Sequence, residues 1–431
     1  MVVVTGFPRR GTLDKIPGMT TKGRDVKLTH IAITNWRNFA HIEFDLASRL
    51  FVVGPNSSGK TNLLAALRFL SDVARLGLAA ASENWGGPER YFHSGTEYAS
   101  FDLTLELDEH QIKYKLSLRK DSSANGWNKH DNAASEAIEF PAGNRAVVDS
   151  EDLMINGQPI SISTERVKEP DGIRFGERVR SFLDPDSVVQ SVSRYKAKNV
   201  QISLLHQITR IAIESIRYIH PNPKKMLERA DRYDPDNGTG FFQHAGRFSD
   251  QQLDAVVDRI RPIIASVVPE IPNLSYQRMG LGTELVFYSD TPVHGASGIY
   301  SHEQFSEGTL RLLGLLFDLA TLPRDTSVVL IEEPETFLQA SVVRSLPSLL
   351  AEVAMNRDVQ MVISTHSPEL IDSELVLPSQ VLLLRSENGE TTGELLSQSN
   401  DPRIKAVVSA GLPKSQGIDA VNGRTIPLGT W

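Results

Sequence analysis

Alternating apolar and polar residues mark several segments of the chain as β-strands. The alternation runs through Lys27–Thr34 and Ala40–Leu46, and later through Tyr98–Leu107 and Ile112–Leu118. Ala137–Phe140 and Leu153–Ile160 are expected to add further strands. Such alternation is typical of antiparallel strands with one buried face and one solvated face. The later segments therefore predict an antiparallel β subdomain.

A second kind of segment is apolar without alternation. Leu50–Val53, Ser327–Ile331 and Val359–Thr365 are short runs of β-branched and other apolar residues, and Val376–Leu384 predicts one further strand. Runs of this kind are typical of parallel strands that are buried on both faces. Polar residues follow the first three runs directly, and the carboxyl ends of parallel strands form the ligand edge of an α/β sheet.

Apolar residues at helical spacing predict helices elsewhere in the chain. They occur in Asn62–Leu70, Leu204–Ile216, Leu253–Val268 and Leu312–Leu322, and residues 339–356 are also predicted to be helical. No heptad pattern persists, so no long coiled coil is expected. The pattern as a whole predicts an α/β fold with a mixed sheet, an antiparallel β subdomain and an inserted helical subdomain.

Composition narrows the class of protein. The 431 residues carry a formal net charge of −8, which gives no global argument for nucleic-acid binding. The absence of cysteine excludes disulfides, thiolate metal sites and a cysteine nucleophile, and it suits a cytoplasmic protein. Neither a signal peptide nor a membrane span is evident in the sequence, so no membrane partner is expected.

The segment Gly54–Thr61 fits the pattern G-x-x-x-x-G-K-[ST], the P-loop, and lies between a predicted strand and a predicted helix. Backbone N–H groups of such a loop face phosphate oxygens, and the helix dipole adds positive potential. Lys60 is expected to reach the β- and γ-phosphates, and Thr61 to bind Mg²⁺. A chance glycine-rich turn is the alternative. The residues assigned to the nucleotide are Gly54, Asn56, Ser57, Ser58, Gly59, Lys60, Thr61 and Asn62.

Adjacent carboxylates end the second buried run, at Ile331-Glu332-Glu333-Pro334-Glu335. Buried strands seldom end in charges that lack a partner. Beside a P-loop, the first acid holds the metal and the second acts on the attacking water. We therefore assign Glu332 to Mg²⁺ and Glu333 to general-base catalysis. The alternative is a solvated helix start, where acids are favoured by the dipole.

Two further polar segments complete the set. Ser364-Thr365-His366-Ser367-Pro368 follows a buried strand, and His366 could hydrogen-bond the γ-phosphate. Phe305–Arg311 opens an apolar helix with a serine and a glycine, a combination that favours anions. The P-loop already binds the phosphates of the same chain's nucleotide, so an anion site at Phe305–Arg311 would be redundant there. This suggests that the site faces a nucleotide held by a second subunit. An ordinary helix start capped by Ser306 is the alternative.

The order of these four motifs resembles the ATPase heads of the ABC superfamily, specifically the RecF/SMC/OLD-like branch of AAA family ATPases. Asn35-Trp36-Arg37-Asn38-Phe39 is similar to the strand-turn at the start of that branch. The resemblance implies ATP and Mg²⁺ as cofactors and two heads that sandwich two ATP molecules. It places Ser306 and Gly308 on the ATP of the opposite head, and Arg37 near the phosphates.

Three positions depart from the pattern of this branch. Glu307 stands where glycine or serine is common, and Gln339 stands where an aspartate or histidine is common. No clear glutamine follows the P-loop helix, and His93 is the candidate for its place. These departures put the coupling of metal to partner in doubt and are compatible with slow hydrolysis.

The resemblance leaves three functional classes. One is an ATP-dependent switch that forms a homodimer or higher oligomer and controls a separate effector such as a nuclease, as in bacterial anti-phage defence. Another is a RecF-like ATPase of DNA repair, and a third, disfavoured by the motifs, is a transporter subunit. The chain is expected to lack its own nuclease domain. A solvated helix or a protein interface is the favoured interpretation of the basic residues in the helical insertion, and DNA binding is the alternative. These residues are Arg174, Arg178, Arg180, Arg194, Lys196, Lys198, Arg210, Arg217, Lys224, Lys225 and Arg229.

The expected domain boundaries follow from these segments. They are a flexible tail at 1–26, an N-terminal ATPase lobe at 27–172 with the P-loop and the antiparallel β subdomain, a helical insertion at 173–272, a C-terminal ATPase lobe at 273–397 and a C-terminal extension at 398–431.

Overall fold

The computed structural model describes residues 26–107, 110–121, 145–160, 209, 212–279, 284–289, 300–387 and 389–422. Its strands are β1 (Lys27–Trp36), β2 (Phe39–Asp45), β3 (Arg49–Val53), β4 (Tyr98–Leu107), β5 (His110–Lys120), β6 (Ala146–Ile155), β7 (Gln158–Ile160), β8 (Arg217–Ile219), β9 (Leu274–Met279), β10 (Glu284–Ser289), β11 (Tyr300–Ser301), β12 (Val328–Glu332), β13 (Gln360–Ser364), β14 (Val381–Glu387) and β15 (Glu390–Leu395).

Helices connect these strands. They are α1 (Lys60–Leu76), α2 (Leu78–Asn84), α3 (Pro88–Tyr91), α4 (Pro223–Met226), α5 (Phe241–Ala245), α6 (Asp250–Val267), α7 (Glu307–Thr321), α8 (Ala340–Val343), α9 (Leu346–Arg357), α10 (Pro368–Ile371), α11 (Pro402–Ser409) and α12 (Lys414–Asn422). Short 3-10 turns occur at His302–Gln304 and Pro378–Gln380.

A mixed sheet carries three of the four motifs at the ends of its strands. Its strand order is β15-β14-β3-β13-β12-β8, and every neighbouring pair is parallel except β14 with β15. Within it, Val52 pairs with Ser364, and Ser364 pairs with Glu332. The carboxyl ends of β3, β13 and β12 are therefore level with one another, and the three motifs that follow them meet at one edge.

The apolar runs are buried on both faces, as the sequence predicts. In β3, Leu50 and Val52 belong to one core, and Phe51 and Val53 belong to another. The first core lies against α1 and the second against α9 and the C-terminal helices. Because successive side chains of a strand point to opposite faces, a strand between two cores needs apolar residues at every position.

An antiparallel sheet with the order β2-β1-β4-β5-β6-β7 forms the predicted β subdomain and shares the first core. A smaller antiparallel sheet, β11-β10-β9, packs with α5, α6 and α7 in a third core. The fold class is thus confirmed as mixed α/β, and the described residues include no long coiled coil.

Some predicted elements differ from the structure. The predicted strand Val376–Leu384 begins only at Val381, because Pro378 opens a 3-10 turn. The helix predicted over 339–356 is broken into α8 and α9. The poorly patterned C-terminus contains α11 and α12, and β8 adds an edge strand that we did not predict.

Several predictions concern segments that the structure does not describe. These are most of the N-terminal tail, the strand expected at Ala137–Phe140 and most of the helix expected at Leu204–Ile216. The domain boundaries stay predictions. In the described ranges, no helix has the length and apolarity to cross a membrane.

Candidate functional site

The P-loop connects β3 to α1, as predicted. Gly59 lies in the left-handed region with φ 96°, where glycine is the least strained residue. A Cβ at this position would lie 2.3 Å from Nδ2 of Asn38, so the close packing of Asn38 also requires glycine. Lys60 is buried, and its Nζ donates to the carbonyl oxygens of Gly54 at 3.1 Å and Pro55 at 2.9 Å.

The turn that contains Arg37 is hydrogen-bonded to the start of α1. Nη1 of Arg37 donates to Oδ1 of Asn62 at 2.8 Å, and Nδ2 of Asn62 donates to Oδ1 of Asn38 at 2.7 Å. Nε1 of the fully buried Trp36 donates to the Asn62 carbonyl at 2.9 Å. Burial lowers the pKa of the Arg37 guanidinium, and the nearby charge of Arg68 adds to this effect. The structure thus brings Arg37 to the P-loop helix.

The two residues predicted to hold the metal are in contact. The Thr61 hydroxyl donates to Oε1 of Glu332, which is buried at the end of β12. A hydroxyl and a carboxylate are the hard oxygen ligands that Mg²⁺ prefers. Among the described residues, no group of three or more histidine, aspartate or glutamate side chains is arranged to hold a metal ion.

The two residues predicted to be catalytic are also in contact. Nε2 of His366 lies 3.3 Å from Oε1 of Glu333, and both side chains are partly exposed. The Glu333 backbone has φ 43°, an unusual conformation for a residue other than glycine. Its N–H is held by the Ser364 carbonyl at 3.0 Å, at the end of the neighbouring strand. This conformation turns the Glu333 side chain toward the loop that contains His366.

Glu335 supports the His366 loop, a role that the sequence analysis did not predict. Its Oε1 accepts from the Thr365 hydroxyl at 2.6 Å and from the His366 N–H at 2.8 Å. Burial raises the pKa of this carboxyl above its usual range. Its place as the third acid of Glu-Glu-Pro-Glu is the only sequence signal for this role.

Arg311, which belongs to the fourth motif, hydrogen-bonds the backbone of the second motif. It is fully buried in α7, and its Nη2 donates to the carbonyl oxygens of Glu332 at 2.7 Å and Glu333 at 3.0 Å. Its Nη1 donates to the Pro221 carbonyl. Nδ1 of His220 lies 3.3 Å from the Glu332 carbonyl oxygen. The backbone that carries both acids is therefore held by Arg311, to which the sequence analysis assigned no role, and lies beside His220, which belongs to no motif.

The start of α7 makes different contacts. The Ser306 hydroxyl caps the helix by accepting from the Thr309 N–H at 3.1 Å. A Cβ on Gly308 would lie 2.4 Å from the Phe337 carbonyl oxygen, so close packing within the chain requires glycine here. Neither Ser306 nor Gly308 hydrogen-bonds the P-loop in the part of the chain that is described. Gly308 instead packs on the loop that follows Glu335, and the hydrogen bonds of Ser306 in the described residues stay within α7.

The three positions that depart from the family pattern have different surroundings in the structure. Glu307 forms an ion pair with Lys224 at 3.4 Å. Nδ1 of His93 lies 2.7 Å from the Arg37 carbonyl oxygen, which places His93 beside the predicted phosphate-binding turn. Gln339 is exposed and precedes α8.

The family described as "AAA domain, putative AbiEii toxin, Type IV TA system" matches residues 50–372. The chain belongs to this family. The matched region of this AAA-domain protein contains the P-loop, the acidic strand end and the His366 segment. Membership confirms the predicted RecF/SMC/OLD-like branch and identifies the chain as an ATPase of that type.

Curated relatives of this AAA-domain protein are longer than the regions they share with it. It is 21% identical to the Old nuclease of Escherichia phage P2 over 406 residues, which cover 88% of this chain and 63% of the relative. It is 26% identical to the DNA replication and repair protein RecF of Leifsonia xyli subsp. xyli (strain CTCB07) over 31% of this chain and 33% of that protein. Endonuclease GajA of Bacillus cereus (strain VD045) is 31% identical over 20% of this chain and 14% of its own length.

Solved structures with a similar arrangement are heads of SMC proteins. An SmcHead bound to the C-winged helix domain of ScpA covers 85% of this chain and 97% of its own, with a TM-score of 0.47 and 13% identity. The SMC head domain from Thermotoga maritima covers 86% of this chain and 98% of its own, with a TM-score of 0.42 and 13% identity.

Proposed function

We propose that this protein binds and hydrolyses ATP with Mg²⁺, and that two heads close on the nucleotides to form a homodimer. One observation carries the proposal. The level carboxyl ends of β3, β12 and β13 bring Thr61 to Glu332 and Glu333 to His366, although the segments are remote in sequence. A helix start that merely tolerates acids would not require these contacts.

In this proposal the P-loop and its lysine hold the phosphates. Lys60 exchanges its contacts with the Gly54 and Pro55 carbonyls for phosphate oxygens, which are stronger acceptors because they are charged. Thr61 and Glu332 provide oxygen ligands for Mg²⁺, which when bound neutralises charge on the phosphates. Arg37 adds a guanidinium at the start of α1. The remaining loop residues present N–H groups to the phosphates.

The chemical step is assigned to Glu333 and His366, whose side chains are partly exposed. Glu333 takes the proton of the attacking water, and the unusual backbone conformation at this residue aims its carboxylate. His366 hydrogen-bonds the terminal phosphate from the adjacent strand end. Glu335 fixes the His366 backbone, so the histidine is presented by a supported loop.

The test is Glu333→Gln, which retains the shape of the side chain but removes the base. ATP affinity should stay within about twofold, and the hydrolysis rate should fall by about 100-fold or more, since general bases contribute about 10²–10⁴-fold. ATP should then trap a dimer that size-exclusion chromatography detects. Glu352→Gln, an exposed change on α9, is the matched control. Hydrolysis at the wild-type rate would refute the base assignment.

We further propose that the ATPase acts as a cytoplasmic switch for a separate effector, such as a nuclease, in anti-phage defence. The family description and the similarity to Old nuclease and Endonuclease GajA support this proposal. Co-expression with the products of neighbouring genes, followed by purification with ATP or without nucleotide, tests it. An effector that is retained in only one nucleotide state is the expected result. Absence of any co-purifying effector would favour the alternative.

The alternative is a RecF-like ATPase that binds DNA, which the similarity to RecF supports. Three of the predicted basic residues already have acidic partners. Lys224 pairs with Glu307, Lys225 with Glu228 and Arg229 with Glu284. Arg174, Arg178, Arg180, Arg194, Lys196, Lys198 and Arg210 lie outside the described residues. DNA binding that weakens steeply with salt, together with DNA-stimulated hydrolysis, would favour this alternative.

A further inference from the structure

Tyr218 contacts the predicted metal-binding carboxylate from the edge of the mixed sheet. It lies in β8, where it pairs with Leu330 of β12. Its hydroxyl donates to Oε2 of Glu332, while the Thr61 hydroxyl donates to Oε1. The two oxygens of this carboxylate are therefore held by different segments of the chain. Tyr218 is not part of any nucleotide-binding motif that the sequence analysis identified.

The ring of Tyr218 is the last member of a stack of cations and aromatic rings. The Arg68 guanidinium lies 5.0 Å from the centre of the Tyr218 ring and 5.3 Å from that of Trp85. The Arg37 guanidinium lies 5.4 Å from the centre of the same Trp85 ring. Arg68 also forms an ion pair with Asp236. Because a guanidinium is attracted to the face of an aromatic ring, the stack restrains the Tyr218 ring.

The geometry points to Tyr218 as a positioning residue that fixes the orientation of the Glu332 carboxylate for Mg²⁺·ATP. This inference rests on the proposed function. Without the Tyr218 hydroxyl, the Glu332 carboxylate is held at Oε1 alone and has more freedom about its last torsion, which lowers its affinity for a cation. The Tyr218 hydroxyl prevents this rotation by holding Oε2, and the stack keeps the hydroxyl in place. Groups that orient a metal ligand in this way typically contribute 10–100-fold to metal affinity.

Tyr218→Phe tests the inference because phenylalanine keeps the ring, and with it the contact to Arg68, and removes only the hydroxyl. ATP binding is measured by titration calorimetry over a series of Mg²⁺ concentrations and in EDTA. The Mg²⁺ concentration for half-maximal enhancement of ATP affinity should rise about 10–100-fold. ATP affinity in EDTA should not change. Neither readout depends on turnover.

Tyr276→Phe is a matched control. The Tyr276 hydroxyl also donates to a carboxylate, Oδ1 of Asp254 at 2.7 Å, but it lies on β9, outside the site. This variant should keep the wild-type Mg²⁺ requirement. The control separates the general effect of removing a tyrosine–carboxylate hydrogen bond from an effect on the metal-binding carboxylate.

Two results would overturn the inference while leaving the proposed function standing. One is a Tyr218→Phe variant with the Mg²⁺ requirement of the wild-type protein. The other is an equal loss of ATP affinity with Mg²⁺ and in EDTA, since the hydroxyl would then support the loop rather than the carboxylate. If the wild-type protein itself shows no Mg²⁺-dependent ATP binding, the proposed function fails and the inference fails with it.

Discussion

The edge of the mixed sheet and the start of α7 differ in the contacts that their motif residues make. At the sheet edge, side chains from segments that are remote in sequence contact one another. Thr61 contacts Glu332, and His366 contacts Glu333. At the start of α7, Ser306 contacts only its own helix, and Gly308 packs on the Phe337 carbonyl. The first region is organised within one chain. In the second, Ser306 is exposed, and its hydroxyl hydrogen-bonds only Thr309 of its own helix among the described residues.

Backbone strain occurs in both regions but at different places. Arg37, Ser57 and Glu333 at the sheet edge have φ of 48°, 65° and 43°. Each such conformation costs about 1 kcal/mol or more, and it persists where surrounding contacts determine it. Ser306, with φ −63°, has the ordinary geometry of a helix cap. Phe337, whose carbonyl oxygen packs on Gly308, has φ 68°, so a strained backbone supports the start of α7 from outside the helix.

The largest effect is expected from removing the P-loop cation. Lys60→Ala should weaken ATP binding by about 100-fold or more, because a buried charge-assisted contact to phosphate is lost. A fluorescent ATP analogue measures the affinity, and thermal melting reports on the fold. Lys113→Ala, an exposed change on β5, is the control. Unchanged ATP affinity would mean that the sheet edge does not hold the phosphates, and the contrast between the regions would then disappear.

The next effect concerns the contact that joins the two regions. Arg311 lies in α7 but donates to the backbone of Glu332 and Glu333. Arg311→Met should lower the free energy of unfolding by about 3 kcal/mol, because buried carbonyl groups lose their donors. Chemical denaturation measures this change, and hydrolysis should slow with it.

Arg259→Met, on the exposed face of α6, is the control for Arg311→Met. If both variants unfold at the same denaturant concentration, Arg311 does not connect the regions. The start of α7 would then be energetically independent of the acidic strand end.

The parts of the site that the sequence could predict are those with local signals. The P-loop has a fixed spacing, and the runs Leu50–Val53 and Val328–Ile331 are apolar at every position because both faces are buried. Tyr218 and Arg311 could not be predicted in the same way. Tyr218 is 114 residues from the carboxylate that it contacts, and Arg311 is 90 residues from Pro221. Such contacts depend on the packing of the whole sheet.

The elements that the sequence analysis missed also have physical reasons. Val376 and Leu377 extended an apolar run, but Pro378 lacks the N–H that a strand needs and starts a 3-10 turn instead. In α11, Ile404 is the only fully buried residue, so this short helix shows little apolar periodicity. The β8 strand is three residues long, which is too short for a recognisable pattern.

The smallest effect on stability is expected at Ser306. Substitutions there also test most directly the contrast between the sheet edge and the start of α7. Aspartate caps helices as well as serine does, whereas alanine does not. Ser306→Ala should lower the free energy of unfolding by about 1 kcal/mol, and Ser306→Asp should leave it unchanged within about 0.5 kcal/mol. Chemical denaturation of the two variants separates the capping role from any other role.

Ser306→Asp also places a negative charge where a second subunit's phosphate is expected. If the start of α7 faces that phosphate, repulsion should prevent ATP-driven dimerisation in the Glu333→Gln background, while each monomer still binds ATP. Light scattering with ATP and without nucleotide measures the dimer. Dimerisation equal to that of Glu333→Gln alone would make Ser306 a helix cap only. In that case the start of α7, like the sheet edge, would serve its own chain.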